Sequence, residues 1–141
     1  MEHFITDEEE VRLVGAIARA EARTSAEIRV CVTDKLIFRP KRYAWRLFDR
    51  IGMRNTKNRN GALIVMMPRV KQIVMIGDSG LDDRVPPGYW EEAVTAMVKR
   101  MHEAGPLASL EEGLARLGET LSGYWPAEEN DVNELPDEIL K

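Results

Sequence analysis

Apolar and polar positions alternate along this chain with two different periods. Thr6-Asp7-Glu8-Glu9 has the form of a helix capping box, Thr6 as N-cap and Glu9 reaching back. Val11, Val14, Ile17 and Ala18 follow at helical spacing, predicting a helix that ends near Arg23. Glu27 to Thr33 then switches to alternation and is rich in β-branched residues, which predicts a strand. Pro40 can start a second helix, with Ala44, Leu47, Phe48 and Ile51 on one face and Gly52 as its stop. Ala62 to Met67 is continuously apolar, the pattern of a strand buried on both faces. Pro68-Arg69-Val70-Lys71 reads as a tight hairpin turn, and Gln72 to Ile76 as a third strand. Pro87 begins a helix carrying Trp90, Val94, Met97, Val98 and Met101, which Gly105 ends. Leu110, Leu114, Leu117 and Leu121 mark a last helix ending near Gly123.

These elements predict an α/β fold, a three-layer α/β/α sandwich. A small mixed sheet of three or four strands is flanked on both faces by helices, because the Ala62–Met67 run lacks a polar face. Residues 1–126 form a single domain, and the acidic stretch 127–141 reads as an extended appendage. The first two strands are joined through a helix and so run parallel, while the second and third are joined by a tight turn and run antiparallel. Three segments then meet at one edge of the sheet. They are Arg23 to Glu27, the basic loop Arg54 to Gly61, and the acidic run Gly77 to Arg84. The opposite edge carries Asp34 and the turn with Arg69 and Lys71.

The chain has 141 residues, 44% apolar and 31% charged, the composition of an ordinary globular domain. Its formal charge of −4 gives no global argument for nucleic acid. No apolar run approaches the roughly 18 residues of a membrane helix. The acidic N-terminus does not have the form of a signal peptide. The expectation is a cytoplasmic protein without nucleic-acid or membrane partners. Cys31 is the single cysteine, which excludes an internal disulfide and a thiolate zinc cage; it reads as a small buried hydrophobe.

The densest chemistry is Gly77-Asp78-Ser79-Gly80-Leu81-Asp82-Asp83-Arg84-Val85-Pro86, with three carboxylates and two glycines after an apolar strand. Aspartates are hard oxygen donors suited to Mg²⁺ or Ca²⁺, and glycines allow positive φ and close approach to a ligand. Asp78, Asp82 and Asp83 are the candidate metal ligands, with Glu27 from the adjoining strand start able to close the shell. Across the edge, Arg54, Lys57, Arg59 and the amides near Asn60 are suited to phosphate oxygens. A structural reading stands beside this one, in which the same loops pair as surface salt bridges and Asp82 or Asp83 caps a turn. His3 lies near the terminus, and His102 suits the dipole at a helix end; neither reads as catalytic. Trp45, Trp90 and Trp125 read as packing residues.

Four segments resemble the TPM domain family, the thylakoid-lumen phosphatase and photosystem repair proteins with their bacterial relatives. They are Thr24-Ser25-Ala26-Glu27-Ile28-Arg29-Val30, Arg59-Asn60-Gly61-Ala62-Leu63-Ile64, Gly77-Asp78-Ser79-Gly80-Leu81 and Val85-Pro86-Pro87-Gly88-Tyr89-Trp90. The end, Asn133-Glu134-Leu135-Pro136-Asp137-Glu138-Ile139, is similar to that of stand-alone bacterial members. The resemblance implies an α/β/α sandwich, divalent-metal binding and, in some relatives, modest phosphatase activity. Two functions follow as expectations. One is a low-specificity, metal-dependent phosphatase acting on phosphomonoesters, nucleotides or a phosphorylated protein, with Asp78 as the catalytic candidate. The other is a non-catalytic module that binds a cation or docks a partner, favoured by the lack of an obvious nucleophile or general base.

Overall fold

In the computed structural model, which describes residues 5–128 and 139–141, the capping box closes α1 (Asp7–Glu21). The Thr6 hydroxyl accepts from the Glu9 N–H at 3.1 Å, and the Glu9 carboxylate accepts from the Thr6 N–H at 3.1 Å. The chain continues through β1 (Ile28–Val32), α2 (Pro40–Arg50), β2 (Ala62–Met67) and β3 (Gln72–Gly77). A four-residue helix α3 (Ser79–Asp82) follows, then α4 (Tyr89–Ala104), α5 (Pro106–Tyr124) and β4 (Ile139–Leu140). The turn between β2 and β3 is a 3₁₀ turn at Pro68–Val70 with Lys71 left-handed, at φ 52°. No helix among the described residues is long and apolar enough to cross a membrane.

The sheet order is β3-β2-β1-β4. β1 and β2 run parallel, Ile28 opposite Ala62, and β2 and β3 antiparallel, Ala62 opposite Gly77. Both directions agree with the loop-length argument. The fourth strand comes from the stretch read as an appendage. Ile139 and Leu140 pair in parallel with Val30 and Cys31. The reason is that an edge strand presents unpaired N–H and C=O groups that an apolar dipeptide can cover. Ile139 packs against the core on one side of the sheet and Leu140 against that on the other. The rest of the acidic tail, 129–138, lies outside the described residues, as does His3.

All six residues of β2 are fully out of water, and their side chains alternate between two cores. Ala62, Ile64 and Met66 face a large cluster built with α1, α4 and α5. Leu63, Val65 and Met67 face a smaller one, built on Ala44, Leu47 and Phe48 of α2 and on Met53. The expected three layers are therefore present, three long helices on one face and α2 alone on the other. α5 packs closely on α4, where Ser109 donates to the Met97 carbonyl at 2.7 Å. Residues 24–25 are fastened to the end of α5, since both the Thr24 hydroxyl and the Ser25 N–H donate to the Trp125 carbonyl.

Phe48 is the largest fully buried side chain that α2 contributes, and it meets Trp45 edge-on at 5.2 Å between ring centroids. Truncation should leave a cavity in the smaller core. Phe48→Ala is expected to destabilise the fold by about 3–5 kcal/mol, read as a lower urea midpoint at unchanged slope.

Candidate functional site

The edge where β1 and β2 begin and β3 ends is built around Asp78, a fully buried carboxylate. Residues 79–82 turn directly into α3, and Asp78 is the N-cap, accepting from the Ser79 N–H at 2.7 Å. A buried charge must be neutralised. Two arginines of the preceding loop do this. Arg59 donates from Nε to Oδ2 at 2.9 Å and from Nη2 to Oδ1 at 3.3 Å, the two-pronged geometry suited to a carboxylate. Arg54 donates from Nη1 to Oδ1 at 3.3 Å.

Both guanidinium groups are oriented by more than Asp78. Arg54 Nε bonds Asp49, and its planar head lies 5.3 Å from the Trp45 ring and 5.5 Å from the Phe48 ring. Arg59 stands at φ 50°, a left-handed conformation that few non-glycine residues take. Its guanidinium holds its proton still more firmly than usual, first through the hydrogen bond to Asp78 and then through that residue's charge. The side chains remain 43% and 47% exposed, so a buried anion holds two half-exposed cations in fixed positions. Arg54 Nη2 and Arg59 Nη1 make no hydrogen bond among the described residues.

The glycines serve this assembly in a way the sequence reading did not anticipate. Neither Gly77 nor Gly80 has positive φ, and what comes close to them is the protein itself. A Cβ on Gly80 would lie 2.1 Å from the Asn58 carbonyl oxygen and 2.7 Å from that of Arg59. The Gly80 N–H donates to that Arg59 carbonyl at 2.8 Å, and the Asp78 N–H to the Gly61 carbonyl at 2.9 Å. A Cβ on Gly77 would lie 2.6 Å from the Trp90 ring. Bare backbone thus lets α3 press onto the arginine loop.

The structure brings Asp78, Arg54 and Arg59 together. Asn60, in the same loop, is buried, and its Nδ2 has no hydrogen-bond partner among the described residues. Lys57 is exposed on that loop. Asp82 accepts from the Trp90 indole N–H at 2.8 Å, and Asp83 is exposed beside it. Glu27 is buried at the start of β1, its carbonyl bonded to the Ala62 N–H. A divalent cation needs several oxygens converging at about 2.0–2.6 Å. Among the described residues no group of three or more His, Cys, Asp or Glu is placed to hold one. Asp78 is engaged by three sets of N–H donors, and Asp82 by an indole. The donor set in this arrangement therefore does not fit a divalent centre, and it presents guanidinium where the metal was expected. The signal that could have indicated this was the spacing of Arg54 and Arg59 just before a buried strand whose start lies beside the end of the strand leading into Asp78.

One further group is excluded as a nucleophile by its surroundings. Burial pushes the Cys31 thiol up to about 11, so it stays protonated within β1. His102 lies exposed in the last turn of α4, far along the chain from this edge.

The chain's sequence and fold both have counterparts. The model of the TPM domain family, named TPM_phosphatase, matches residues 1–120. The BA42 protein of the psychrophilic bacterium Bizionia argentinensis, solved by NMR, is 34% identical with a TM-score of 0.91. That match covers 100% of this chain and 97% of BA42. The N-terminal domain of a P. gingivalis protein is similar at 20% identity and a TM-score of 0.70, over 90% of this chain and 83% of that one. The N-terminal domain of the cg2496 protein of Corynebacterium glutamicum has a TM-score of 0.58 at 14% identity, over 97% of this chain and 80% of its own. At these lower identities the likeness is one of fold. No curated protein matches the chain.

Gly80→Ala should force α3 off the arginine loop, because the obstruction is backbone. A loss of about 1–3 kcal/mol is expected, measured by thermal unfolding, with amide shifts concentrated at Asn58–Gly61 and Asp78–Asp82. Cys31 should resist iodoacetamide at neutral pH in the native protein and react once urea unfolds it; ready labelling of the folded chain would contradict the burial assigned to β1.

Proposed function

The chain belongs to the TPM domain family, and we propose that it serves there as a receptor for phosphorylated ligands, small molecules or proteins, at the corner made by Arg54, Arg59 and Asp78. One observation carries this reading: a fully buried carboxylate orients two guanidinium groups that stay about half exposed. Arginine held in this way has little left to organise when an oxyanion arrives, and its remaining N–H groups suit paired oxygens. Lys57 adds positive charge on the same loop, and the buried Asn60 amide supplies a donor still without a partner among the described residues. A cytoplasmic location is part of the reading, in keeping with the lone free thiol of Cys31.

Hydrolysis of the bound ester is the second reading. It is favoured by the name of the matched family model and by two neighbouring carboxylates, Asp82 and Asp83, both exposed on and just after α3. A phosphatase would need an activated water or a nucleophile, and Asp78 is committed to the arginines. Mg²⁺ or Ca²⁺ would have to recruit Asp82 and Asp83, with Asp78 joining only if an arginine swings away. In the arrangement described, the chain's own residues bind and orient the phosphate.

Titration with inorganic phosphate and with phenyl phosphate, followed by NMR, separates these readings. Shifts are expected at the Arg54 and Arg59 side chains and along Gly77–Asp83. Arg59→Gln should weaken phosphate binding by about tenfold or more. Aryl phosphate and nucleotide turnover measured with Mg²⁺, with Ca²⁺ and with chelator then decides on catalysis. Chelator-sensitive turnover that is lost in Asp82→Asn or Asp83→Asn selects the enzyme. Binding without turnover selects the receptor. Phosphate that leaves both arginines unperturbed removes the site altogether.

A further inference from the structure

The opposite edge of the sheet carries a surface that the arginine corner does not explain. Leu36 is 68% exposed, Phe38 93% and Val70 43%. The first two belong to the connection from β1 to α2, the third to the turn from β2 to β3. β1 and β2 are parallel with Val32 opposite Met66, so both connections leave the sheet at the same edge. The exposure of Leu36 and Phe38 is built in. Ile37, between them, packs into the smaller core, and Lys35 N–H donates to the Thr33 hydroxyl at 3.2 Å. Pinning Ile37 leaves its two neighbours standing out.

Cations surround these apolar tips. Lys35, Arg39, Lys41 and Arg42 flank Leu36 and Phe38, Arg69 and Lys71 flank Val70, and Arg46 continues along α2. All seven are exposed, and none forms an ion pair among the described residues. The charge of the chain is strongly divided. Residues 35–50 hold six Lys and Arg against one acidic residue, Asp49, while the remainder holds fourteen against twenty-three. A protein of net charge −4 thus concentrates positive charge on α2 and the loop that leads into it.

We propose that this edge docks peripherally on an anionic lipid bilayer, with Leu36 and Phe38 entering the headgroup–acyl boundary and the cations lying at headgroup depth. An apolar patch rimmed by polar groups marks an interaction surface. Two weak signals, an inserted apolar tip and a basic patch, together give the attachment that neither gives alone. Each Lys or Arg near such a surface is worth roughly a factor of five in partition. Duplex nucleic acid would use the cations but has no place for Leu36 and Val70 beside them, and the bilayer uses both. The sequence expectation of no membrane partner rested on the lack of a spanning run, which peripheral docking does not need. The proposal is independent of the phosphate receptor, which lies at the other edge.

Co-sedimentation of the full chain with vesicles tests it. Phosphatidylcholine vesicles containing phosphatidylglycerol should pellet the protein, pure phosphatidylcholine should not, and raised salt should weaken the binding. The double variants Leu36→Ser/Phe38→Ser and Lys41→Glu/Arg42→Glu should each lower the partition at least about tenfold. Both pairs are surface residues, and an unchanged melting temperature verifies the fold. Val11→Ser, changing an exposed side chain on α1, should leave partition unaltered. Three results would overturn the proposal. They are no pelleting with anionic vesicles, pelleting indifferent to Leu36 and Phe38, or retention on RNA or DNA without vesicle binding.

Discussion

Six consecutive apolar residues, Ala62 to Met67, leave β2 with no face that water can touch. A strand of that kind is stable only between two covering layers, and the remaining architecture answers this demand. α2 closes one face and α1, α4 and α5 the other. Because α2 must return along the sheet, β1 and β2 come out parallel, and both strand starts fall at one edge. β3 then delivers Asp78 to that same edge by running the other way. The position of the arginine corner is therefore a by-product of covering β2.

Much of this was legible from side-chain periodicity. The capping box at Thr6, the helix starts at Pro40 and near Pro87, and the stop at Gly105 are local signals that tertiary packing did not override. Strand directions followed from loop length alone. The convergence of residues 54–61 with 77–84 also followed, since topology fixes which loops meet. What each side chain does there was less legible. Three aspartates in six residues suggest a cation, yet Asp78 points its carboxylate at arginines from a loop that precedes it by about twenty residues. Sequence spacing does not say whether an anion will meet a metal or a guanidinium, because both satisfy it. Gly77 and Gly80 were read for their freedom of φ, whereas their use is the lack of a Cβ against the Trp90 ring and two carbonyls. The strand β4 escaped because two residues carry no periodicity.

Asp78 and its partners also show how a buried charge can serve recognition without strengthening the fold. Burying an ion pair gives little net stability, since desolvation offsets most of the Coulomb attraction. Here only the acid is fully buried. The cations keep part of their hydration and lose mainly rotational freedom, which an arriving oxyanion would otherwise have to remove. Gly80, Trp45 and Phe48 take part in this by fixing the loop and the plane of Arg54. A residue such as Phe48 thus belongs both to the α2 core and to the geometry of the corner.

The pairing of β4 with β1 joins residues 109 positions apart, Val30 and Ile139. During synthesis β1, β2 and β3 leave the ribosome long before Ile139 exists. A nascent chain halted before Leu140 carries a mixed three-stranded sheet whose β1 edge is open, the state in which strands find wrong partners. Completion of the sheet is consequently a late, long-loop event whose closure entropy falls on two residues. The order of translation therefore sets a window in which chaperones or neighbouring nascent chains can compete with β4 for that edge.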